Sequence, residues 1–137
     1  MTSSQKYIEK LRKSGLRPTK QRINICEVLF NRVDTFHFTI SDLVKMIESN
    51  AKEKISLATV YNTIHAFEKK GYLKEIAINS NQTYFDTNIS SHHHFFDEEE
   101  KKLIDLEKQD VHPIKIKKSI PGKKIKSVEV LVKIGLD

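Results

Sequence analysis

The sequence predicts an α+β fold, in which a helical N-terminal part precedes a small part built mainly of strands. Apolar residues recur at helical spacing through the first 71 residues. From Tyr72 onwards, short runs alternate as strands do and are separated by turn residues. The chain has 137 residues, which suffices for one domain or for two small ones.

The first three helices are predicted from their apolar stripes and end signals. The first helix has its stripe at Tyr7, Ile8 and Leu11 and stops near Gly15. Thr19 is the expected N-cap of the second helix, because its hydroxyl can accept from an unpaired backbone N–H. Thr39 is the expected N-cap of the third, with Asp42 at the capping-box position.

The fourth helix and the strands after it predict a winged helix. The helix begins after Ser56 and ends at Gly71, and its inward face is expected at Leu57, Val60, Ile64 and Phe67. Residues 72–78 and 82–86 then form two strand-like runs around an Asn-Ser-Asn turn. Helices followed by a two-stranded hairpin are typical of a winged-helix DNA-binding domain, expected over residues 1–87.

The remainder, residues 88–137, predicts a small α/β, mostly β, domain. Strands are expected at residues 92–96, 103–106 and 128–134, and the stretch from Val111 to Lys124 is basic without a clear period. Three short strands cannot bury a sufficient core alone. We therefore expect a dimerisation domain that completes its core with a second copy of the chain.

Charge and composition limit the kinds of binding partner and the cellular location that we expect. Residues 1–90 hold 14 Lys and Arg against 9 Asp and Glu, whereas residues 91–137 hold 10 against 9. The basic excess of the first part indicates a polyanion partner or a merely soluble basic surface. No stretch of about 18 apolar residues or secretory signal is present, so we expect a cytoplasmic protein. The single cysteine, Cys26, excludes an internal disulfide and a Cys-x-x-Cys zinc clamp and is expected in the core.

Three consecutive histidines, residues 92–94, are the most distinctive motif. On a strand, His92 and His94 share one face and His93 has the other. Two imidazoles with Asp86 before them and Asp105 after them predict a nitrogen and oxygen site for iron, manganese or zinc. The alternative is a solvated polar face.

The fourth helix offers a surface that could read DNA. Its outward positions are expected at Ala58, Thr59, Asn62, His65 and Lys69, with Tyr61 at the border of this face. Small, hydroxyl and amide side chains match base edges, including adenine and the thymine methyl group. Arg17, Lys20 and Arg22 are candidates for phosphate or minor-groove contacts. The same face could also be an ordinary solvated surface.

Two segments carry a family resemblance. Residues 16–22, Leu-Arg-Pro-Thr-Lys-Gln-Arg, and residues 56–63, Ser-Leu-Ala-Thr-Val-Tyr-Asn-Thr, resemble the DNA-binding half of the ferric uptake regulator family. The triple histidine, the lack of Cys-x-x-Cys and the short tail look most like its iron response regulator branch. The resemblance implies a homodimeric transcription regulator of iron or haem genes that binds an AT-rich operator, and not an enzyme.

The resemblance also implies a ligand set. It assigns a divalent metal (Fe2+, Mn2+ or Zn2+) to His37, Asp86, His92, His94 and Asp105, and no structural four-cysteine zinc site. In the branch, the triple histidine is associated with haem, so residues 92–94 are haem candidates. His112 and Glu129 are further possible outer ligands.

Two other functions compete with this interpretation. The same five ligands resemble the site of peroxide-sensing repressors of the family, in which ferrous iron drives oxidation of a ligand histidine. A mononuclear metal hydrolase would use similar ligands, but the sequence offers no separate nucleophile and no general base outside the ligand set.

Overall fold

A computed structural model describes residues 2–137, which divide into two compact units with the boundary between Ile89 and Ser90. The division lies two residues beyond the one expected after residue 87. Four α-helices and a three-stranded sheet make up the first unit, and the second contains a three-stranded sheet and one 3-10 turn.

Local end signals set the four helices, which are α1 (Ser3–Lys13), α2 (Lys20–Phe30), α3 (Ile40–Ala51) and α4 (Leu57–Lys70). The hydroxyls of Thr19, Thr39 and Ser56 each accept from the backbone N–H three residues later, as N-caps do. Asp42 completes the capping box of α3. Gly71 ends α4 with φ of 91°, a left-handed conformation that favours glycine. These ends agree with the sequence predictions.

One hydrophobic core holds the first unit together. All four helices contribute to it, together with residues from the sheet. Its fully buried side chains include Leu11, Ile25, Cys26, Leu29, Leu43, Ile47, Val60, Ile64 and Phe67. Two edges of the core are aromatic, where Phe30 packs against Phe67 and Phe38 stacks on Phe85.

The inward face of α4 differs from the prediction at its first turn. Leu57 is 56% exposed, although its spacing from Val60 and Ile64 matches the apolar stripe. Thr63 is buried instead, and its hydroxyl donates to the Thr59 carbonyl at 2.7 Å. That bond satisfies the polar group inside the core. The first residue of α4 therefore lies beyond the core, which the helix enters at Val60, and an apolar side chain is left at the surface.

The sheet of the first unit contains one strand that the sequence did not reveal. The hairpin of β2 (Lys74–Asn79) and β3 (Gln82–Asp86) forms as predicted, and β1 (His37–Phe38) adds to β3, giving the order β1-β3-β2. All pairings are antiparallel. Thr87 and Phe36 extend the pairing of β1 with β3 by two hydrogen bonds. The Thr87 N–H donates to the Phe36 carbonyl and the Thr87 hydroxyl accepts from the Phe36 N–H, both at 3.0 Å.

The second unit is a small sheet with little core. Its strands are β4 (His93–Asp97), β5 (Lys102–Leu106) and β6 (Leu131–Ile134), in the order β5-β4-β6. β5 pairs antiparallel with β4, whereas β6 runs parallel to it. Of the hydrophobic residues that the structure describes between 90 and 137, only Phe96 and Leu103 are buried. The unit has no α-helix among these described residues, so it is more nearly all-β than the predicted mixed domain.

Helices confined to the first unit, with sheets in both, confirm the predicted α+β class and the winged-helix arrangement. None of the helices within residues 2–137 has the length and apolar character that crossing a bilayer requires.

Candidate metal centre and nucleic-acid interface

The second unit brings two imidazoles and a carboxylate together. His94 lies on β4 and is paired across the ladder with Asp105 on β5. His94 Nε2 lies 3.0 Å from Asp105 Oδ1, and His92 Nε2 lies 3.6 Å from the same oxygen. The two rings share a face, with centroids 4.3 Å apart. β4 begins one residue later than predicted, so His92 lies just before the strand, but its ring still shares the face of His94 as the sequence predicted.

The orientation of the His92 ring suits metal binding. His92 Nδ1 lies 2.7 Å from the Ser90 carbonyl oxygen, which can only accept, so Nδ1 carries the proton. Nε2 then presents its lone pair on the side of Asp105. A histidine whose second nitrogen donates to a carbonyl is the usual arrangement of a metal ligand. Ligand atoms of His92, His94 and Asp105 all lie within 4.8 Å of one another, and a nitrogen and oxygen donor set fits iron, manganese or zinc.

His93 has a different role from its neighbours. Its Nδ1 accepts from the Val130 N–H at 2.8 Å, next to the start of β6. The neutral ring must then carry its proton on Nε2, so it offers no lone pair to an iron. This contact disfavours the prediction that His93 is an axial haem ligand. The residue instead ties β4 to the chain entering β6.

The first unit holds the two other predicted ligands side by side. His37 on β1 is the Cα partner of Asp86 on β3. The Asp86 side chain is buried, and its Oδ1 accepts from the Asn88 N–H at 2.8 Å. His37 is half-buried and meets the Tyr84 ring edge-on, with centroids 6.0 Å apart. β1, which has no signal in the sequence, therefore places His37 beside Asp86.

The predicted outer ligands show no comparable arrangement. His112 and Glu129 are both exposed, in the segment between β5 and β6. Neither belongs to the group formed by His92, His94 and Asp105.

The outward face of α4 is exposed as predicted. Ala58, Tyr61 and Asn62 are exposed, and Thr59 is half-buried. Tyr61 stacks on His65 with centroids 5.8 Å apart and an interplanar angle of 19°. His65 in turn meets Phe85 of β3 edge-on at 6.1 Å. The Tyr61 ring is therefore supported, through His65, by Phe85 of the β2–β3 hairpin, a contact that has no signal in the sequence. Exposed Leu57 extends the same surface.

The three basic candidates around α2 have different surroundings. Arg17 is exposed. Arg22 is half-buried, and its Nη1 donates to the Arg17 carbonyl at 2.8 Å, so it fixes the turn before α2. Lys20 Nζ lies 3.3 Å from Glu53 Oε1, in an exposed ion pair. Such a pair is worth little and would yield readily to a phosphate.

Cys26 is buried in the core of the first unit, as predicted. Burial in apolar surroundings raises the pKa of its thiol to about 12. The thiol is therefore protonated at neutral pH and is not a metal ligand in this state.

A winged-helix unit followed by a small sheet with an imidazole and carboxylate cluster defines the class to which this chain belongs. The model of the Ferric uptake regulator family matches residues 13–134, and the chain belongs to this family. Members are transcription regulators, which confirms the prediction that the chain is not an enzyme.

Curated relatives of the chain include two peroxide regulators. The chain is 35% identical over 98 residues to the peroxide operon regulator of Bacillus subtilis (strain 168), covering 72% of this chain and 66% of the relative. It is 31% identical over 98 residues to the peroxide-responsive repressor PerR of Staphylococcus epidermidis, covering 72% and 63%. The matched stretch thus spans just under two thirds of these two proteins.

Solved structures show the same fold. The ferric uptake regulator of Pseudomonas aeruginosa with manganese superposes with a TM-score of 0.67 at 19% identity, covering 95% of this chain and 97% of that one. The regulator of Vibrio cholerae also has a TM-score of 0.67 at 19% identity, covering 94% and 98%. These structures show the fold, the match of the family model confirms the predicted family, and the iron response regulator branch stays a prediction.

Proposed function

We propose that this protein is a metal-responsive transcription regulator that binds operator DNA as a homodimer. The observation that carries the proposal is the convergence of His92 and His94 on Asp105, in a chain whose other unit is a winged helix. The exposed face of α4 supplies the DNA-reading surface, with Ala58, Thr59, Tyr61 and Asn62 at base edges and Arg17, Lys20 and Arg22 along the backbone.

The proposed metal site draws on both units. His37 and Asp86 are paired in the first, and His92, His94 and Asp105 are grouped in the second. Five residues, 87–91, join Asp86 to His92, so the chain keeps the Cα atoms of these two residues within about 22 Å even when fully extended. A divalent cation held by all five side chains would supply charge and fix the angle between the units.

The regulatory step is a population shift. In a dimer, the angle between units sets the distance between two reading helices, which must match half-sites about one DNA turn apart. The cation needs only to bind the DNA-competent arrangement more tightly than the others. Neutral imidazoles and ionised carboxylates are required, so metal affinity falls in acid.

We propose peroxide as the first candidate for the signal to which the regulator responds. Both relatives named above are peroxide regulators by name, at 35% and 31% identity. If these residues hold ferrous iron, the iron would supply the redox chemistry, and a ligand imidazole would gain one oxygen atom of peroxide while the other oxygen leaves as water. We expect mass spectrometry after peroxide treatment to find a gain of about 16 Da on His37 or His92, because these imidazoles would lie beside the metal. The manganese-loaded protein is the control and should stay unmodified.

Iron and haem response is the second candidate, favoured by the triple histidine run and the lack of Cys-x-x-Cys. Because His93 Nδ1 is engaged by Val130, His92 and His94 are the better axial candidates. A Soret band on haem titration, lost in a His92→Ala/His94→Ala variant, would favour this reading. No band, together with histidine oxidation in the ferrous protein, would reject it.

One experiment tests the shared proposal. Gel shifts on AT-rich sequences upstream of the gene, with metal-free, manganese-loaded and haem-loaded protein, should show a metal-dependent shift. Equal binding to random DNA in all three states would overturn the proposed function.

A further inference from the structure

The segment between β5 and β6 contains a long exposed stretch that the proposed function does not use. We define it as the basic arm, residues 112–127. Its 16 residues are all exposed, and they include six lysines and no Asp or Glu. The isoleucines within it are also exposed, namely Ile114, Ile116, Ile120 and Ile125.

A Pro-Gly turn organises the basic arm into two legs. Lys123 N–H donates to the Ile120 carbonyl at 3.1 Å, and Gly122 has φ of 77°. Pro121 followed by a glycine with positive φ is a type II turn. Among residues 2–137, this is the one backbone hydrogen bond of the arm, so the groups along its legs are available for pairing.

Isoleucine and lysine alternate along the legs. Ile114 and Ile116 are separated by Lys115, and Ile125 is flanked by Lys124 and Lys126. In extended chain, this period places Lys115 and Lys117 opposite Ile114 and Ile116, and Lys124 and Lys126 opposite Ile125, whereas Lys118 and Lys123 fall on the isoleucine face. An apolar face of four isoleucines calls for a protein surface, because phosphate backbone offers nothing apolar to cover it.

A complementary surface lies in the same unit. Asp97, the last residue of β4, and the first three residues of the turn to β5 form the run Asp-Glu-Glu-Glu, residues 97–100; we call this run the acidic turn. Asp97 Oδ1 accepts from the N–H groups of Glu99 and Glu100 at 2.9 and 3.1 Å, which leaves three glutamates at the surface. Within residues 2–137, neither these glutamates nor the arm lysines form ion pairs. Next along the chain, edge strand β5 exposes Ile104.

We propose that the basic arm of one copy docks on the acidic turn and β5 edge of a second copy, reciprocally in a homodimer. The proposal deepens the homodimer of the proposed function and rests on it. With only two buried apolar residues, Phe96 and Leu103, the described part of the second unit needs such a partner. A two-fold dimer makes the contact twice, because each copy supplies both surfaces.

Charge reversal with complementation tests the contact in the full chain. The arm variant is Lys117→Glu/Lys124→Glu/Lys126→Glu, and the turn variant is Glu98→Lys/Glu99→Lys/Glu100→Lys. Each alone places like charges together, so we expect the dimer dissociation constant to rise at least about tenfold in sedimentation equilibrium. An equimolar mixture should restore the dimer, since both contacts between unlike copies are complementary.

Matched controls separate this contact from general charge effects. Lys6→Glu/Lys45→Glu/Lys69→Glu makes the same charge change on exposed lysines of the first unit and should leave dimerisation unchanged. Ile116→Ser/Ile120→Ser, which keeps every charge, should weaken the dimer. Circular dichroism and Mn2+ titration of each variant verify that the units are folded.

Specific outcomes would overturn the proposal. Failure of the mixture to restore the dimer would show that the two surfaces do not meet. Normal dimers of the arm variant with a loss of DNA affinity would assign the arm to DNA instead. Restored dimers without metal-dependent DNA binding would contradict the proposed function and leave the docking contact standing.

Discussion

His94 Nε2 lies 3.0 Å from Asp105 Oδ1, so a cation that binds here would find two ligand atoms that the pairing of β4 with β5 already holds together. We expect Asp105→Asn to weaken Mn2+ binding at least about tenfold, because a charged oxygen donor is lost. The measurement is calorimetric titration. Asp97→Asn removes the same charge from β4 outside the group and should bind as wild type does. Equal affinities for both variants would place Asp105 outside the site.

The His93 contact predicts a role in stability. His93→Ala leaves the Val130 N–H without its imidazole acceptor, which we expect to cost about 1 kcal/mol in the free energy of unfolding. Urea unfolding of the variant measures this cost. Mn2+ affinity should be unchanged, and His112→Ala, which alters an exposed histidine in the same unit, should be neutral. A variant with normal stability but no metal binding would reverse this assignment.

Tyr61 is expected to contribute to DNA specificity. Its ring is exposed and supported by His65, so it can be presented to the major groove at little entropic cost. We expect Tyr61→Ala, and Thr59→Ala beside it, to lower operator affinity more than affinity for random DNA in fluorescence anisotropy. Tyr61→Phe, the matched control, tests the hydroxyl alone. Equal losses on both DNAs would exclude base reading.

Arg17 is expected to contact phosphate rather than bases. Arg17→Ala should reduce the slope of log affinity against log salt by about one unit, because one fewer counterion is released. Lys20→Ala should do the same, after its weak pair with Glu53 gives way. Lys45→Ala, an exposed lysine on α3, provides the comparison. An unchanged slope would place the two residues off the DNA.

Cys26 makes stability depend on alkaline pH. The ordinary thiol pKa of 9.0 applies to the unfolded chain, and burial raises it to about 12 in the fold. Above pH 9 the unfolded state releases a proton that the native state keeps, so stability is full below pH 9 and declines towards pH 12. The expected slope is about 1.4 kcal/mol per pH unit relative to Cys26→Ala. Urea unfolding at pH 8, 9 and 10 checks this, and parallel profiles would contradict it.

Features decided within a few residues were predictable from sequence. The caps at Thr19, Thr39 and Ser56 depend on a side chain and an N–H three residues away, and the shared face of His92 and His94 depends on the extended backbone at the start of β4. β1 was missed because two residues have no period, and the strand exists only through its pairing with β3.

Other features depend on what packs beside an element. Leu57 has the right spacing for the core and lies outside it, because helical spacing does not tell where along the helix the neighbouring elements end. The role of His93 depends on Val130, 37 residues away in the chain. Sequence therefore predicted that His92 and His94 share a face from which His93 points away, but it could not predict that His93 accepts a hydrogen bond from Val130.

The parallel pairing of β6 with β4 has a consequence during synthesis. Leu131 is translated 34 residues after Asp97 ends β4, which is about 2 to 7 seconds of ribosome time. Until then, the Val130 N–H is not available to donate to His93, and the edge of β4 that pairs with β6 has no partner strand. The winged helix is complete well before that point. A newly made molecule therefore has its winged-helix unit in place for several seconds before the sheet of its second unit is complete.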